Sequence, residues 1–285
     1  MTAKRPIILD ENAVTAFINK LNNVSNHASK IMQDTRPSDI IVFVLGGTGA
    51  GKSTLVNSLI GNKLRYVANG SIPALVPDPE SPVKIRVGKS LKSITEKPSL
   101  ALDKTKGVYF CDCPGFFDTN GVETEIINSF TLFSLIEEAN RRGNPIGLLF
   151  VCNALIEIDR GNYLRGMLSI IRSTFGNLRE QVSCVPVVLT RYGPSFEDFR
   201  SEVISWFNDL LGVPSGYLRL LEFPPPPLNS TPEDVFSFDR RELDRIIDMF
   251  RTNSKKLVPS VALSAESVTN LEAIASGFGD MPTFP

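Results

Sequence analysis

Apolar and polar residues fall along this chain in blocks of two kinds. Residues 11–34 carry Val14, Phe17, Ile18, Leu21 and Val24 at helical spacing with polar residues between them, which predicts an amphipathic N-terminal helix. Its polar face is not rich in Lys or Arg, which weighs against a helix lying on a membrane surface. After Pro37 the pattern changes to uninterrupted apolar runs at Ile40–Leu45, Gly107–Cys111, Ile146–Cys152, Cys184–Leu189 and Val258–Leu263. Such runs are expected of strands covered on both faces of a parallel sheet. Helical patterns separate them at 52–61, 123–141, 160–175, 196–211 and 238–252. Strands alternating with helices predict an α/β fold: a doubly wound, mainly parallel sheet with helices on both faces, preceded by the N-terminal helix.

Two segments break the alternation. Residues 62–106 hold several turn signals and two expected strands, Pro82–Val87 and Leu100–Asp103. Residues 212–237 contain Glu222-Phe-Pro-Pro-Pro-Pro-Leu228, which must be extended. A rigid loop at the domain edge is favoured there over a proline-helix ligand for a partner. The expected organisation is a helix and linker over 1–37, one domain over 38–276 with inserted segments near 62–94 and 212–237, and a tail over 277–285.

Composition narrows the chemistry. With 42% hydrophobic and 21% charged residues, the 285-residue chain has the make-up of a folded protein. Thirty-one acidic against 30 basic side chains leave a net charge of −1, so bulk charge does not hold it on nucleic acid, and no nucleic-acid partner is expected. A single histidine, His27, is too few for a multi-histidine zinc site. Cys111, Cys113, Cys152 and Cys184 lack C-x-x-C spacing and lie in or beside apolar runs, as expected of reduced thiols. No apolar run is long enough for a transmembrane segment and no signal peptide is visible, so the expected location is cytoplasmic.

The segment Gly46-Gly47-Thr48-Gly49-Ala50-Gly51-Lys52-Ser53 matches G-x-x-x-x-G-K-[ST]. It follows the first apolar run and opens a helix with Thr54, where a phosphate-binding loop must sit. Its glycines let consecutive backbone N–H groups curl around a phosphate, and the helix N-terminus adds its dipole. Lys52 is expected to reach the β- and γ-phosphates and the Ser53 hydroxyl to ligate Mg²⁺. A second element, Asp112-Cys-Pro-Gly115, ends another apolar run. Asp112 there can hold the Mg²⁺ shell, and the Gly115 N–H can bond the γ-phosphate.

Carried by GGTGAGKSTLVNSLIG and DCPGFFDT, the chain resembles the septin-like branch of the GTPase superfamily, and does so more weakly over about 38–270. That branch includes septins, immunity-associated nucleotide-binding proteins and chloroplast import-receptor GTPases. The resemblance implies a switch that binds GTP and GDP and hydrolyses GTP with Mg²⁺, often forming a nucleotide-dependent homodimer. Thr95, in Ser93-Ile-Thr95 and 17 residues before Asp112, is the candidate first-switch hydroxyl for Mg²⁺. The catalytic set is then Lys52, Thr95 and Gly115, and the metal set Ser53, Thr95 and Asp112. Thr190 and Arg191 stand where these families read the base, but Gly193 or Pro194 replaces the expected aspartate. Ser264-Ala265 resembles the element whose backbone meets guanine O6, on the premise that it follows the last strand. The segment Leu148–Gly161 resembles a box of the immunity-associated members, with no chemical role attached.

Overall fold

The apolar run ahead of the glycine-rich loop forms β1 (Ile40–Gly46), buried along its whole length. It pairs in parallel with β5 (Val108–Asp112) on one side and β6 (Ile146–Asn153) on the other. The computed structural model describes residues 11–67, 74–83, 85–87, 97–115, 122–154, 162–182, 184–190, 196–223, 235–236, 240–253, 257–261, 268–269 and 271–272. Beyond β6 lie β7 (Val185–Thr190) and β8 (Leu218–Phe223), and β4 (Ser99–Asp103) closes the opposite edge. The order is β4-β5-β1-β6-β7-β8, with only β4 antiparallel to its neighbour.

Alternation along β1 sorts the core into two layers. Ile41, Phe43 and Leu45 face a cluster supplied by α4 (Val122–Arg142), α5 (Asn162–Phe175) and α7 (Phe196–Leu211), while Ile40, Val42 and Val44 face α3 (Lys52–Leu59) and α8 (Arg241–Asn253). A sheet covered on both faces is what continuous apolar strands require. The expected N-terminal helix is a pair, α1 (Glu11–Asn22) and α2 (Val24–Ile31), broken at Asn23. Phe17 and Leu21 of α1 pack on Ile126 of α4, and Lys20 Nζ meets Glu123 Oε1 at 2.7 Å.

Two expected strands do not form as read. In Pro82–Val87 the described residues are irregular because asparagine side chains take the bonds a neighbouring strand would offer. Asn57 Nδ2 donates to Ile85 O at 2.8 Å, Asn57 Oδ1 accepts from Ile85 N at 3.1 Å, and Asn62 Nδ2 donates to Val83 O at 2.6 Å. The region instead builds a small antiparallel sheet from β2 (Leu64–Val67), β3 (Ala74–Pro77) and β9 (Val235–Phe236), so the two irregular segments pair with each other. Residues 257–261 are likewise not a strand. Asn140 Nδ2 donates to Leu257 O at 2.6 Å, Val258 N donates to Gln181 Oε1 at 2.9 Å, and Ser260 N donates to Thr174 O at 2.7 Å. These bonds strap the segment to the helical layer, and the edge of the main sheet belongs to β8.

Far from the glycine loop, Arg240 ties three elements together. It donates to Asp103 Oδ2 at 2.6 Å, to Leu59 O at 2.6 Å and to Asp244 Oδ1 at 2.8 Å. Burial pushes the Asp103 carboxyl up, but hydrogen bonds from Thr105 and Arg240 outweigh it and hold the group below its ordinary value. A depressed carboxyl contributes stability above the unfolded pKa and loses it as pH falls through the folded one. Arg240→Ala is expected to lower unfolding free energy by about 2 kcal/mol at neutral pH, because a buried acceptor loses its charged donor. Urea unfolding at neutral pH and at successively lower pH checks this, the gap narrowing as pH falls through the folded-state pKa of Asp103.

Candidate functional site

The loop from Gly46 to Lys52 turns directly off β1, and Gly49 (φ +77°) and Gly51 (φ +96°) adopt left-handed backbone that other residues resist. Its carbonyl groups are tied down by donors from three directions. Lys52 Nζ, buried beneath the loop, donates to Gly46 O at 3.0 Å and Gly47 O at 2.9 Å. Thr190 Oγ1, at the end of β7, donates to Ala50 O at 2.8 Å and shares that proton with Cys152 O at 3.3 Å. Asn153 Nδ2, at the end of β6, donates to Gly49 O at 3.4 Å. Held carbonyls fix the peptide planes of the loop and so the directions of its N–H groups, of which Ala50 N already donates to Gly47 O at 3.2 Å.

Ser53, in the first turn of α3, donates through Oγ to Asp112 Oδ2 at 2.7 Å, joining residues 59 apart in sequence. Asp112 is fully buried at the C-terminal end of β5. Burial pushes its carboxyl up, opposed by the charge of Lys52 and the Ser53 hydrogen bond. Its second oxygen, Oδ1, accepts no hydrogen bond among the described residues. A buried carboxylate oxygen without a donor is costly unless a cation meets it. The Ser53 hydroxyl gives its proton to Asp112, which sets its oxygen beside the carboxylate. Two hard oxygens so placed suit Mg²⁺, which takes one or two protein oxygens and completes its shell with phosphate and water. Among the described residues, no cluster of three or more His, Cys, Asp or Glu offers an all-protein metal cage.

Gly115 brings the second element against the first. A Cβ built on it would lie 2.5 Å from Thr48 Oγ1, 2.6 Å from Thr48 N and 2.8 Å from Thr48 Cα. Only glycine lets these two backbones approach so closely. A pair of thiols flanks Asp112 in the chain: Cys113 Sγ is 3.8 Å from Cys111 Sγ and 3.5 Å from Cys111 O. The Cys113 hydrogen bond, burial and the nearby charges push the Cys111 thiol well above its ordinary value, so it stays protonated.

The structure thus gathers Gly46 to Ser53, Asp112, Gly115 and Thr190 at the C-terminal ends of the central strands, where α/β sheets present ligand sites. The Thr190 hydroxyl is engaged with the loop backbone, and Thr54 Oγ1 donates toward Leu75 O of β3 at 3.4 Å. Thr95, Phe116, Phe117, Arg191, Gly193, Pro194, Ser264 and Ala265 lie outside the described residues. Among the described residues the last strand of the main sheet is β8, and 257–261 form no strand ahead of Ser264-Ala265. The residues before the pair are bonded to the end of α5, and Leu271 beyond it packs with Phe17 and Ile126. Sequence reading missed Asn153; its one signal was a polar residue closing an apolar run beside β1.

Among solved structures, the chain is similar to Toc33 from Arabidopsis thaliana in two forms. For a dimerization-deficient mutant the identity is 18%, covering 85% of this chain and 94% of that one, with a TM-score of 0.48. For the complex with Mg²⁺ and GMPPNP the identity is 18%, covering 86% and 96%, with a TM-score of 0.46. A probable GTP-binding protein, EngB, matches at 20% identity over 75% of this chain and 100% of that one, with a TM-score of 0.45. No protein-family model and no curated protein matches the chain.

Proposed function

We propose that this chain binds GTP and GDP with Mg²⁺ and hydrolyses GTP to GDP, acting as a switch or self-assembly module. The observation that carries this reading is the Ser53–Asp112 hydrogen bond beside a glycine loop whose Gly46, Gly47, Gly49 and Ala50 carbonyls are held by Lys52, Asn153 and Thr190. Ser53 and Asp112 would hold Mg²⁺, with Thr95 as the expected switch ligand. Mg²⁺ bound there would neutralise charge on the β- and γ-phosphates. Lys52 would exchange loop carbonyls for phosphate oxygens, and the Gly115 N–H would bond the γ-phosphate from beside Thr48.

Rate and specificity follow from side chains the sequence lacks. The residue after Gly115 is Phe116, which cannot orient a water as a glutamine does, so intrinsic hydrolysis is expected to be slow. A second copy pairing across the nucleotide face would supply the missing group, and specific activity should then rise with protein concentration and saturate. With no aspartate at Gly193 or Pro194, preference for GTP over ATP should be weaker by roughly 1–3 kcal/mol than a carboxylate-bearing site allows. Gly193→Asp is expected to sharpen that preference in a competition titration, and an unchanged ratio would place base recognition elsewhere. The same absence favours, as the second reading, a nucleotide-binding scaffold with relaxed base choice and little hydrolysis.

Thermal unfolding with GTP, GDP, ATP and ADP tests the reading, since bound ligand stabilises by RT ln(1 + [L]/Kd). Guanine nucleotides with Mg²⁺ should raise Tm most. Equal shifts from all four would favour the scaffold, and no shift from any would overturn both readings.

A further inference from the structure

The geometry points to Cys111 and Cys113 as a dithiol site that a small peroxide oxidises to a disulfide, switching off metal-dependent nucleotide binding through Asp112. The inference rests on the function proposed above for its second half only. Alternate residues of a strand point to one face and the residue between them to the other. Cys111 and Cys113 accordingly lie in the core layer of α4 and α5, while Asp112 reaches across to Ser53 of α3. The two sulfurs are already 3.8 Å apart. Cys152 and Cys184 lie in different core layers from each other, so neither forms such a pair with the other.

Among the described residues, Cys113 and not Cys111 borders a crevice of about 30 Å³, together with Pro114, Gly115, Glu125 and Ser129. Cys113 is therefore the thiol a peroxide meets. Its sulfur attacks one peroxide oxygen, the O–O bond breaks, and one water leaves with the sulfenic acid formed. Cys111 sulfur then attacks the sulfenic sulfur as its thiol proton passes to the departing hydroxyl, which leaves as the second water. Two thiols and one hydrogen peroxide give one disulfide and two waters, a two-electron oxidation of the protein.

The coupling to Asp112 is mechanical. Two residues of extended strand span roughly 6.7 Å between Cα atoms, whereas disulfide-linked Cα atoms most often lie roughly 5.5–6 Å apart. Closing the bond shortens the end of β5 by about an ångström and rotates the residue between the cysteines. That residue is Asp112, whose Oδ2 takes the Ser53 hydroxyl at 2.7 Å. Linkage requires the converse: nucleotide and Mg²⁺, held better by the reduced form, must oppose the disulfide by the same factor.

The test uses the full chain, treated with hydrogen peroxide, quenched with an alkylating reagent, and read by intact mass and peptide mapping. A loss of about 2 Da mapped to a Cys111–Cys113 link is expected, reversed by dithiothreitol. Oxidised protein should bind GDP with Mg²⁺ at least about tenfold more weakly, and saturating GDP and Mg²⁺ should move the thiol–disulfide midpoint about 30 mV toward oxidising potential. Cys113→Ala should bind GDP normally and ignore peroxide, and Cys111→Ala serves the same purpose if the first variant folds poorly. No mass loss, or a link elsewhere, overturns the site, and a disulfide that leaves affinity unchanged overturns the switch. Reduced protein that binds no nucleotide would sink the functional reading alone, because the mass loss decides the dithiol site independently.

Discussion

Lys52→Ala should weaken nucleotide binding by about a hundredfold, roughly 2.7 kcal/mol, while the fold survives. Lys52 sits beneath the loop with its ammonium on Gly46 O and Gly47 O, so the side chain organises the loop before any phosphate arrives and would neutralise phosphate charge afterwards. A charge-assisted hydrogen bond is worth about twice a neutral one, and this ammonium bonds both Gly46 O and Gly47 O. No hydrophobic cluster includes Lys52, so unchanged circular dichroism should accompany the loss. Full-strength binding by the variant would remove the phosphate-loop assignment.

Gly115→Val is expected to be nearly as damaging by a different route. The added Cβ would press on the backbone N and Cα of Thr48 at 2.6 and 2.8 Å, and backbone cannot rotate out of the way as a side chain can. The D-x-x-G element and the phosphate loop must separate, at a cost typical of overpacking, about 1–3 kcal/mol. Affinity should fall at least about tenfold, and more for a triphosphate analogue than for GDP, because the Gly115 amide is expected on the γ-phosphate. Titration calorimetry with both nucleotides reads the difference. Equal loss for the two would mean Gly115 shapes the loop without touching the terminal phosphate.

What the sequence revealed depended on whether a residue's partner was near or predictable. The central strands were legible because burial on both faces leaves no room for polar residues, as in Ile40-Ile-Val-Phe-Val-Leu45. The phosphate loop was legible because its glycines answer to backbone geometry alone. The β2–β3–β9 sheet was not: its strands are short, and Leu64 finds Phe236 across most of the chain. The run Val258–Leu263 was misread because an apolar stretch looks the same whether a sheet edge or helix ends take its backbone bonds. β8 went unseen because Arg219 and Glu222 interrupt its apolar pattern, as an edge strand with one neighbour allows. Thr190 and Asn153 act on backbone carbonyls of a distant loop, and no residue spacing announces such bonds.

The central claim is that Ser53 and Asp112 form, with the loop above them, a site for the Mg²⁺ complex of a guanine nucleotide. Calorimetric titration of the full chain with a non-hydrolysable GTP analogue, in Mg²⁺ and then in EDTA, tests it most directly. One-site binding in Mg²⁺ that weakens at least about tenfold in EDTA, with the dependence lost in Asp112→Asn, is the predicted result. Binding that is absent, or equally strong in EDTA, would contradict it.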